Sequence, residues 1–492
     1  MTQVNTEAVA AFGDDPVHDG EHGSPLKRVI GPKLLLLLII GDIIGAGIFA
    51  ITGRVAGEVG GAAWLPFLLA FVIATLTAFS YLELVTKYPY AAGAALYAHK
   101  AFRVHFVTFI VAFAVASSGI TSAATSATLV GKNLLIGFGQ FFEGVPQDAN
   151  ATMFAAIAII VVLALINLRG VGESVKFNLV LTIVTLAIMA AVILVGIIAI
   201  ANGNGDVSRL VVFETPEDRG AFAAVTMATA IAFFAMVGFE DSVNLVEECK
   251  NPRRDFPRIM LTGLGICAII YMLVAVTVIM VIPPGDLLNP KNPDAGILLD
   301  VVRIGAPGIP VDAIFPFLTV FAVVNTALIN MLMASRLLYG MARQDVLPRV
   351  LAKVLPKRRS PWVAIVFSTA LAIGLVVYVN LNSDDGVVAS LGGTTGLLLL
   401  CVFATVNVAL LVLRRDKDGT KDAFRAPTII PILGGLLSLA LAGPWARSRE
   451  DWLQYEIAGF LLLIGVALWL VTWIGTLLHR RSSRPSRNVG RS

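Results

Sequence analysis

Twelve long apolar stretches, most of them without a single charged residue, dominate this sequence and limit what it can fold into. Each has close to the ~20 apolar residues that a helix needs to cross the hydrocarbon layer of a membrane. Strands of a membrane barrel would alternate apolar and polar residues, and runs such as LLLLLII (34–40) do not. We therefore predict an all-helical polytopic membrane protein. The predicted spans are approximately 33–56, 62–86, 104–131, 151–168, 175–201, 221–246, 258–283, 312–341, 361–380, 387–413, 427–444 and 456–478.

The composition excludes several classes of protein. Hydrophobic residues make up 57% of the 492 residues and charged residues only 14%, whereas soluble domains carry about 25% charged residues. A soluble fold of this length cannot hide that much apolar surface, because folding buries at most about 75% of it. A soluble enzyme, a nucleic-acid-binding protein and a disordered chain are therefore excluded, and the lipid bilayer is the first expected partner.

The basic residues predict the orientation of the chain in the membrane. Twelve spans place both termini on the same side, and with the N-terminus inside, the inner segments hold 28 of the 37 Lys and Arg residues. This distribution follows the positive-inside rule. We therefore expect a protein of the cytoplasmic membrane whose tails, a disordered one at 1–31 and a basic one at 479–492, are both cytoplasmic.

Glycines interrupt the middle of two predicted spans. The first reads LLLLLIIGDIIGAGIFAITG (34–53), and the sixth reads AFAAVTMATAIAFFAMVGFEDSVN (221–244). Broken helices at matching places in two inverted halves indicate a binding site at mid-membrane. The alternative is that glycines such as Gly41 and Gly45 only allow close helix packing.

The spacing of the two breaks predicts the domain organisation. The interrupted spans are five helices apart, so two halves of five helices each would have opposite orientations in the membrane. We expect the first inverted repeat at 32–203, the second at 221–415, and two additional helices, the eleventh and twelfth, at 427–478.

The two breaks would bring opposite partial charges into one cavity. In the first span, the free N–H groups of Ala46, Gly47 and Ile48 form a positive helix end that suits a carboxylate. Free carbonyl groups near 234–236 and 42–44 suit an ammonium group, and the two sites together match an amino acid. The predicted substrate-binding residues are Ile43, Ile44, Gly45, Ala46, Gly47, Phe234, Ala235, Met236, Val237 and Gly238.

Several segments of the sequence resemble a known family of transporters. They are IIGAGIF (43–49), YLELVTKYP (81–89), NLRGVGESVKFN (167–178), FFAMVGFEDSVNLVEECKNPRRDFPR (233–258) and ASRLLYGMARQDVLP (334–348). In this order they resemble the amino acid–polyamine–organocation superfamily, and most closely its cationic amino acid transporter branch.

The resemblance covers roughly residues 28–480 and implies a fold and a site. The fold is the leucine-transporter type, with 12 transmembrane helices, two inverted repeats of five, and discontinuous helices 1 and 6. The substrate is held by the unwound parts of helices 1 and 6 and walled by helices 3, 8 and 10. Phe234 matches the aromatic residue of helix 6 that closes over the substrate in relatives.

Two positions differ from those relatives. Proton-coupled members carry a lysine in helix 5, where this sequence has Thr185, and most members have a small residue where this sequence has Asp42. A carboxylate at mid-membrane costs at least ~2.5–3.5 kcal/mol to insert, so it marks a functional site by default. We expect Asp42 to carry a coupling proton or to pair with the amine of a basic substrate. The alternatives are an ion pair with Arg336 or a cap at the helix break.

Other polar residues in the spans have two interpretations each. Glu240 either caps or gates the second half of helix 6 or contacts substrate or ion, and Ser335 is a candidate for a cation site with the helix 1 carbonyls. The stripe SSGITSAATSAT (117–128) and a cluster in the eighth span either line the cavity or form hydrogen bonds between helices. The cluster is Asn325, Thr326 and Asn330, and the candidate coupling and gating residues are Asp42, Phe234, Glu240, Thr185 and Ser335.

These features predict a secondary active transporter that imports amino acids by alternating access, with basic amino acids as candidate cargo. The sequence contains no P-loop for ATP, no cluster that suggests a metal or another cofactor, and no repeated pore motif of a channel. Its five histidines are scattered, whereas a membrane-embedded enzyme would need a cluster of catalytic groups. We expect a proton, in preference to Na⁺, as the coupling ion. The alternative is an amino acid or polyamine exchanger of the same fold.

Overall fold

The computed structural model describes residues 30–482, except 91–92, 170–173, 216–219, 284–285, 288–295, 345, 357, 359, 384–385 and 416–422. Most of both predicted tails therefore lies outside the described residues, as does part of the 167–178 motif. Within the described part the chain forms fifteen α-helices, short 3₁₀ and π turns and two isolated β-bridges. The helices are α1 Pro32–Ile43, α2 Ala46–Val59, α3 Trp64–Lys87, α4 Gly93–Phe102, α5 His105–Gly139, α6 Ala149–Arg169, α7 Ser174–Ala199, α8 Ala221–Phe233, α9 Pro252–Val281, α10 Ile297–Gly305, α11 Val311–Arg343, α12 Trp362–Asn382, α13 Val387–Leu413, α14 Ile429–Ala442 and α15 Leu453–Ser482.

The lengths and apolar character of these helices are those of an integral membrane protein. Ten helices in the described part are long and apolar enough to cross a bilayer, or eleven when α1 and α2 are counted as one broken span bent by 43°. Helical segments lie at all twelve predicted positions, but α14 has only 14 residues. The all-helical class is confirmed, and the arrangement of twelve spans in two inverted repeats stays a prediction.

The helices form a buried centre and a periphery. Helices α5 and α13 are the most buried of the long apolar helices, whereas α6 and α15 are the least buried. Helix α5 packs against both α11 and α13. Its sequence is rich in Ser, Thr, Ala and Gly, and such small residues let neighbouring helices approach closely in a membrane.

Both glycine-interrupted spans are broken, as the sequence predicts. The first span changes direction between α1 and α2. The sixth consists of α8, a 3₁₀ turn at Phe234–Met236, the extended residue Val237, and a second 3₁₀ segment at Asp241–Glu248. Helix α2 packs against α8 and the first of these turns, so the two breaks meet.

Main-chain hydrogen bonds join the start of the first span to the end of the sixth. Ile30 forms a parallel bridge with Cys249. The N–H of Ile30 donates to the carbonyl of Glu248 at 3.0 Å, and the N–H of Lys250 donates to the carbonyl of Ile30 at 3.1 Å. The two broken spans are therefore tied together at the end opposite to α2.

Candidate functional site

The break in the first span leaves an uncapped helix end. Ile44 (φ −82°, ψ 83°) and Gly45 (φ −134°, ψ −136°) depart from helical geometry, and the N–H of Gly45 turns back to the carbonyl of Ile43 at 3.0 Å. Helix α2 then begins at Ala46, and no side chain in the described ranges caps it. The first N–H groups of a helix have no partner within the helix, so α2 presents a positive partial charge at the break.

At the break in the sixth span, an acidic side chain accepts a hydrogen bond from a main-chain N–H group. Gly238 has φ +125°, a conformation that favours glycine because other residues carry a Cβ atom. Its N–H donates to the carboxylate of Glu240 at 2.9 Å. Of the two interpretations of Glu240, this contact is the one expected of a cap. Val237 is extended, so the helix does not continue after the turn. The last carbonyl groups of α8 and of the turn therefore lack the N–H donors that a continuing helix would supply.

The glycines at the first break also permit close packing. A Cβ atom on Gly47 would lie 2.6 Å from Cα of Ala235, in the turn of the sixth span. A Cβ atom on Gly45 would lie 1.9 Å from Oγ1 of Thr326, and one on Gly41 would lie 1.9 Å from Oγ1 of Thr182. The two interpretations of these glycines therefore hold together: they allow the break, and they let α1 and α2 approach their neighbours.

A cavity, here called the central cavity, lies between the two breaks. Four polar side chains reach it, together with the uncapped end of α2. The hydroxyl of Thr326 is buried and has no hydrogen-bond partner, and Asp42 has no hydrogen bond or ion pair within the described part of the chain. The walls are formed by Asp42, Ile43, Gly45, Ala46, Gly47, Ser122, Phe234, Val237, Gly238, Thr326 and Asn330.

Some predicted site residues lie outside these walls. Ile44, Ala235 and Met236 are buried behind them. Thr185 donates to the carbonyl of Leu181 one turn earlier in α7. Ser335 is fully buried and donates to the carbonyl of Leu332 at 2.9 Å.

The ion pair considered for Asp42 is absent. Asp42 and Arg336 are both described, and no ion pair joins them; the side chain of Arg336 is exposed. Acidic groups are the charged neighbours of Asp42, since Glu240 and Asp241 act on it electrostatically. The carboxyl group of Asp42 is therefore available to a proton or to a ligand.

Part of the polar stripe of the third span forms hydrogen bonds within and between helices, and part of it lines the cavity. Thr125 and Thr128 donate to carbonyls one turn back in α5, and Thr121 contacts Thr395 of α13 at 2.7 Å between hydroxyl oxygens. Only Ser122 lines the central cavity. In α11, Asn325 accepts a hydrogen bond from Asn178 at 3.4 Å, while Thr326 and Asn330 line the cavity.

Tyr271 is a part of the site that the sequence analysis missed. Its hydroxyl donates to the carbonyl of Ile43 at 2.7 Å, at the break of the first span. One of the carbonyls expected to face an ammonium group is therefore already bound by a side chain. The available signal was a single tyrosine inside the apolar run ICAIIYMLVAV (266–276).

A second cavity shares the wall residue Phe234 with the central cavity. In it, Arg54 of α2 forms an ion pair with Asp451 at 3.3 Å. Asp451 belongs to the connection between α14 and α15, far away in the sequence. The walls are formed by Ile51, Arg54, Ala230, Ile231, Phe234, Ala389, Gly393, Ala446, Arg447, Asp451 and Gln454.

A bundle of membrane-length helices with two broken spans around a polar cavity defines a membrane transport protein. The sequence model described as amino acid permease matches residues 30–476. The chain belongs to this amino acid permease family of the amino acid–polyamine–organocation superfamily.

Individual relatives are transporters and permeases of several cargoes. The chain is 28% identical to the methylthioribose transporter of Bacillus subtilis, over 93% of this chain and 94% of the relative. It is 27% identical to the branched-chain amino acid permease BcaP of the same organism, over 84% and 86%. It is 26% identical to cationic amino acid transporter 1 of Arabidopsis thaliana, over 92% and 73%.

Proposed function

We propose that this protein is a secondary active transporter that takes up amino acids by alternating access. One observation carries the proposal: the uncapped N-terminus of α2, the interrupted carbonyl ladder of the sixth span and the carboxyl group of Asp42 line one cavity. A helix N-terminus binds a carboxylate, and free carbonyls with a carboxylate bind an ammonium group. The named activities of the relatives support transport as the function.

The remaining wall of the cavity favours a cargo rich in hydrogen-bond donors. Asp42, Ser122, Thr326 and Asn330 all present oxygen atoms, and Phe234 is the one aromatic ring among the described wall residues. Oxygen acceptors without partners are costly to bury unless a ligand satisfies them. This wall fits the side chain of a basic amino acid better than a branched aliphatic one, and we propose basic amino acids as the leading cargo.

We propose that a proton bound at Asp42 drives uptake, in preference to Na⁺. Asp42 is the acid of the central cavity that has no partner within the described residues, and its acidic neighbours favour binding of a cation. A second candidate function is exchange of amino acids or polyamines. Thr185 supports it, because this position lacks the lysine found in proton-coupled relatives and its hydroxyl is bonded within α7.

We also propose that both termini are cytoplasmic and that the membrane is the plasma membrane. The distribution of Lys and Arg supports this orientation. The orientation places the end of α2 and the α14–α15 connection on the outer side.

Uptake into proteoliposomes tests the proposed function. Labelled basic, branched-chain and polar amino acids, and polyamines, are offered with a proton gradient, a sodium gradient or internal unlabelled cargo imposed one at a time. We expect uptake of a basic amino acid that follows the proton gradient. Uptake that requires internal cargo would establish the exchanger instead, and no uptake of any amino acid or amine would reject the proposal.

Asp42→Asn separates the two roles proposed for this acid. If Asp42 carries the proton, gradient-driven uptake is lost while exchange between internal and external cargo continues. If Asp42 binds the amine, both decrease by about 10–100-fold, since a hydrogen bond to a charged group contributes about 1.5–3 kcal/mol. Asp206→Asn, in the exposed segment after α7, is the matched control. Unchanged uptake by Asp42→Asn would exclude both roles.

A further inference from the structure

The second cavity concentrates charge at a place where basic residues are scarce. In the predicted orientation only eight Lys and Arg residues lie in outer segments, yet two of them, Arg54 and Arg447, line this cavity together with Asp451. Partly buried charges are retained at a cost in desolvation. Their presence beside Phe234, the residue shared with the central cavity, calls for a role.

The α14–α15 connection holds Asp451 and Arg447 in place. Asp451 accepts hydrogen bonds from the hydroxyl of Ser448 at 2.8 Å and from the side-chain amide of Gln454 at 2.7 Å. Arg447 donates to the same Gln454 at 2.9 Å and to the carbonyl of Leu441 at 2.6 Å. Burial lowers the pKa of Arg447, and the neighbouring Tyr455 and Asp451 oppose this shift. These bonds hold the carboxylate of Asp451 in place as an acceptor for a side chain from another helix.

Arg54 supplies that side chain, and it comes from the helix whose N-terminus forms the substrate site. Its guanidinium lies 3.3 Å from the carboxylate of Asp451, and its side chain is 30% exposed. Arg54 lies eight residues after Ala46, about 12 Å along the axis of α2. A tilt that moves this end of α2 away from the α14–α15 connection would therefore break this contact.

We propose that the Arg54–Asp451 ion pair is a latch that holds α2 against the α14–α15 connection and closes the path from the second cavity to the central cavity. This assigns a function to helices that lie outside the two predicted repeats. At the opposite end the main-chain bonds of Ile30 with Glu248 and Lys250 join the two broken spans, so the structure has a tie at each end. Alternating access then requires that one tie opens while the other holds. The latch rests on the proposed transport function.

The rate of cysteine labelling tests the latch without any substrate. The three native cysteines are replaced, Ala389→Cys places a thiol in the wall of the second cavity, and a water-soluble thiol reagent is applied to the protein in lipid nanodiscs. Arg54→Met removes the charge and keeps the length of the side chain. We expect about fivefold faster labelling, which corresponds to the ~1 kcal/mol of a partly exposed ion pair.

Two further variants make the result specific. Arg54→Lys retains the charge, and we expect it to restore slow labelling. Arg303→Met removes ion pairs with Asp300 and Asp312, none of which lines either cavity, and we expect no change. Equal rates for Arg54→Met and the parent, or an equal increase in Arg303→Met, would overturn the latch. Thermal unfolding of each variant confirms that it is folded, and because labelling needs no cargo, the latch and the transport function can fail separately.

Discussion

The two broken spans differ in the structure that follows the break and in the main-chain groups that the break leaves free. After the first break the chain resumes as a 14-residue α-helix whose N-terminus has no capping side chain. After the second break it continues as a 3₁₀ segment, and the N–H of Gly238 is bound by Glu240. Two breaks that look alike in sequence therefore offer different chemistry: the first presents free N–H groups, and the second presents carbonyls and acidic charge.

The difference has a local cause in the two sequences. Gly45-Ala46-Gly47 contains no side chain that can reach back to an N–H group. The sixth span supplies an acid two residues after Gly238, at the distance at which a carboxylate can bind a free N–H group. The proposed amino acid site needs this asymmetry, because two identical breaks would both bind the same charged end of an amino acid.

Adding a methyl group where the two breaks meet should have the largest effect. In Gly47→Ala the new Cβ atom would lie 2.6 Å from Cα of Ala235, so α2 and the turn of the sixth span must move apart. We expect loss of most uptake and a decrease in unfolding free energy of about 1–3 kcal/mol, as in overpacked cores, measured by transport and chemical denaturation.

The same helix offers a matched control for this change. A Cβ atom on Gly53 of α2 would meet its nearest neighbour, Ile297, at 3.8 Å, which is ordinary contact. Gly53→Ala should therefore preserve uptake and stabilise the helix by about 0.5–1 kcal/mol. Similar behaviour of the two variants would show that the contact between the breaks is not what matters.

Removing the cap of the sixth span should lower the stability by a similar amount. Glu240→Ala leaves the buried N–H of Gly238 without its acceptor, and we expect the free energy of unfolding to fall by about 1–3 kcal/mol. Glu240→Gln keeps an oxygen in reach of that N–H and should lose less. If Glu240→Gln destabilises the protein as much as Glu240→Ala does, the negative charge of Glu240, and not its hydrogen bond, stabilises the structure at this break.

The smallest effect is expected at the carbonyl of the first break. Tyr271→Phe removes the hydrogen bond to Ile43 and should lower the unfolding free energy by about 0.5–1.5 kcal/mol. Tyr97→Phe is the matched control, because its buried hydroxyl has no hydrogen-bond partner among the described residues, and we expect no loss. Equal changes in melting temperature for the two variants would deny Tyr271 a particular role at the break.

The features that sequence predicts here are those with a local cause. Helix positions follow from apolar length, and both breaks follow from glycines placed where an apolar helix does not need them. The side of each helix that faces the cavity was harder to assign, because a helix that is apolar all around has no polar face to fix its rotation. For that reason the sequence alone allows Ser122, Thr326 and Asn330 either to line the cavity or to pack between helices.

Contacts between distant segments had no local signal. Arg54 and Asp451 are separated by 397 positions, and Tyr271 meets Ile43 across 228. A single charged or aromatic residue in one segment does not identify its partner in another. Only the three-dimensional arrangement of the helices brings such pairs together.

The bridge at Ile30 has a consequence for how this protein tolerates mutation. Its two hydrogen bonds use peptide groups alone, so among substitutions at residues 30 and 248–250 only proline at a donor position removes a bond directly. The side chains of Ile30 and Cys249 are buried, and packing restricts these two positions. The Arg54–Asp451 contact, in contrast, is lost with either of two side chains. One end of the molecule is therefore held by bonds that do not depend on side-chain chemistry, whereas the ion pair at the other end is removed by a single substitution. The proposed latch is for that reason the place to engineer altered transport rates.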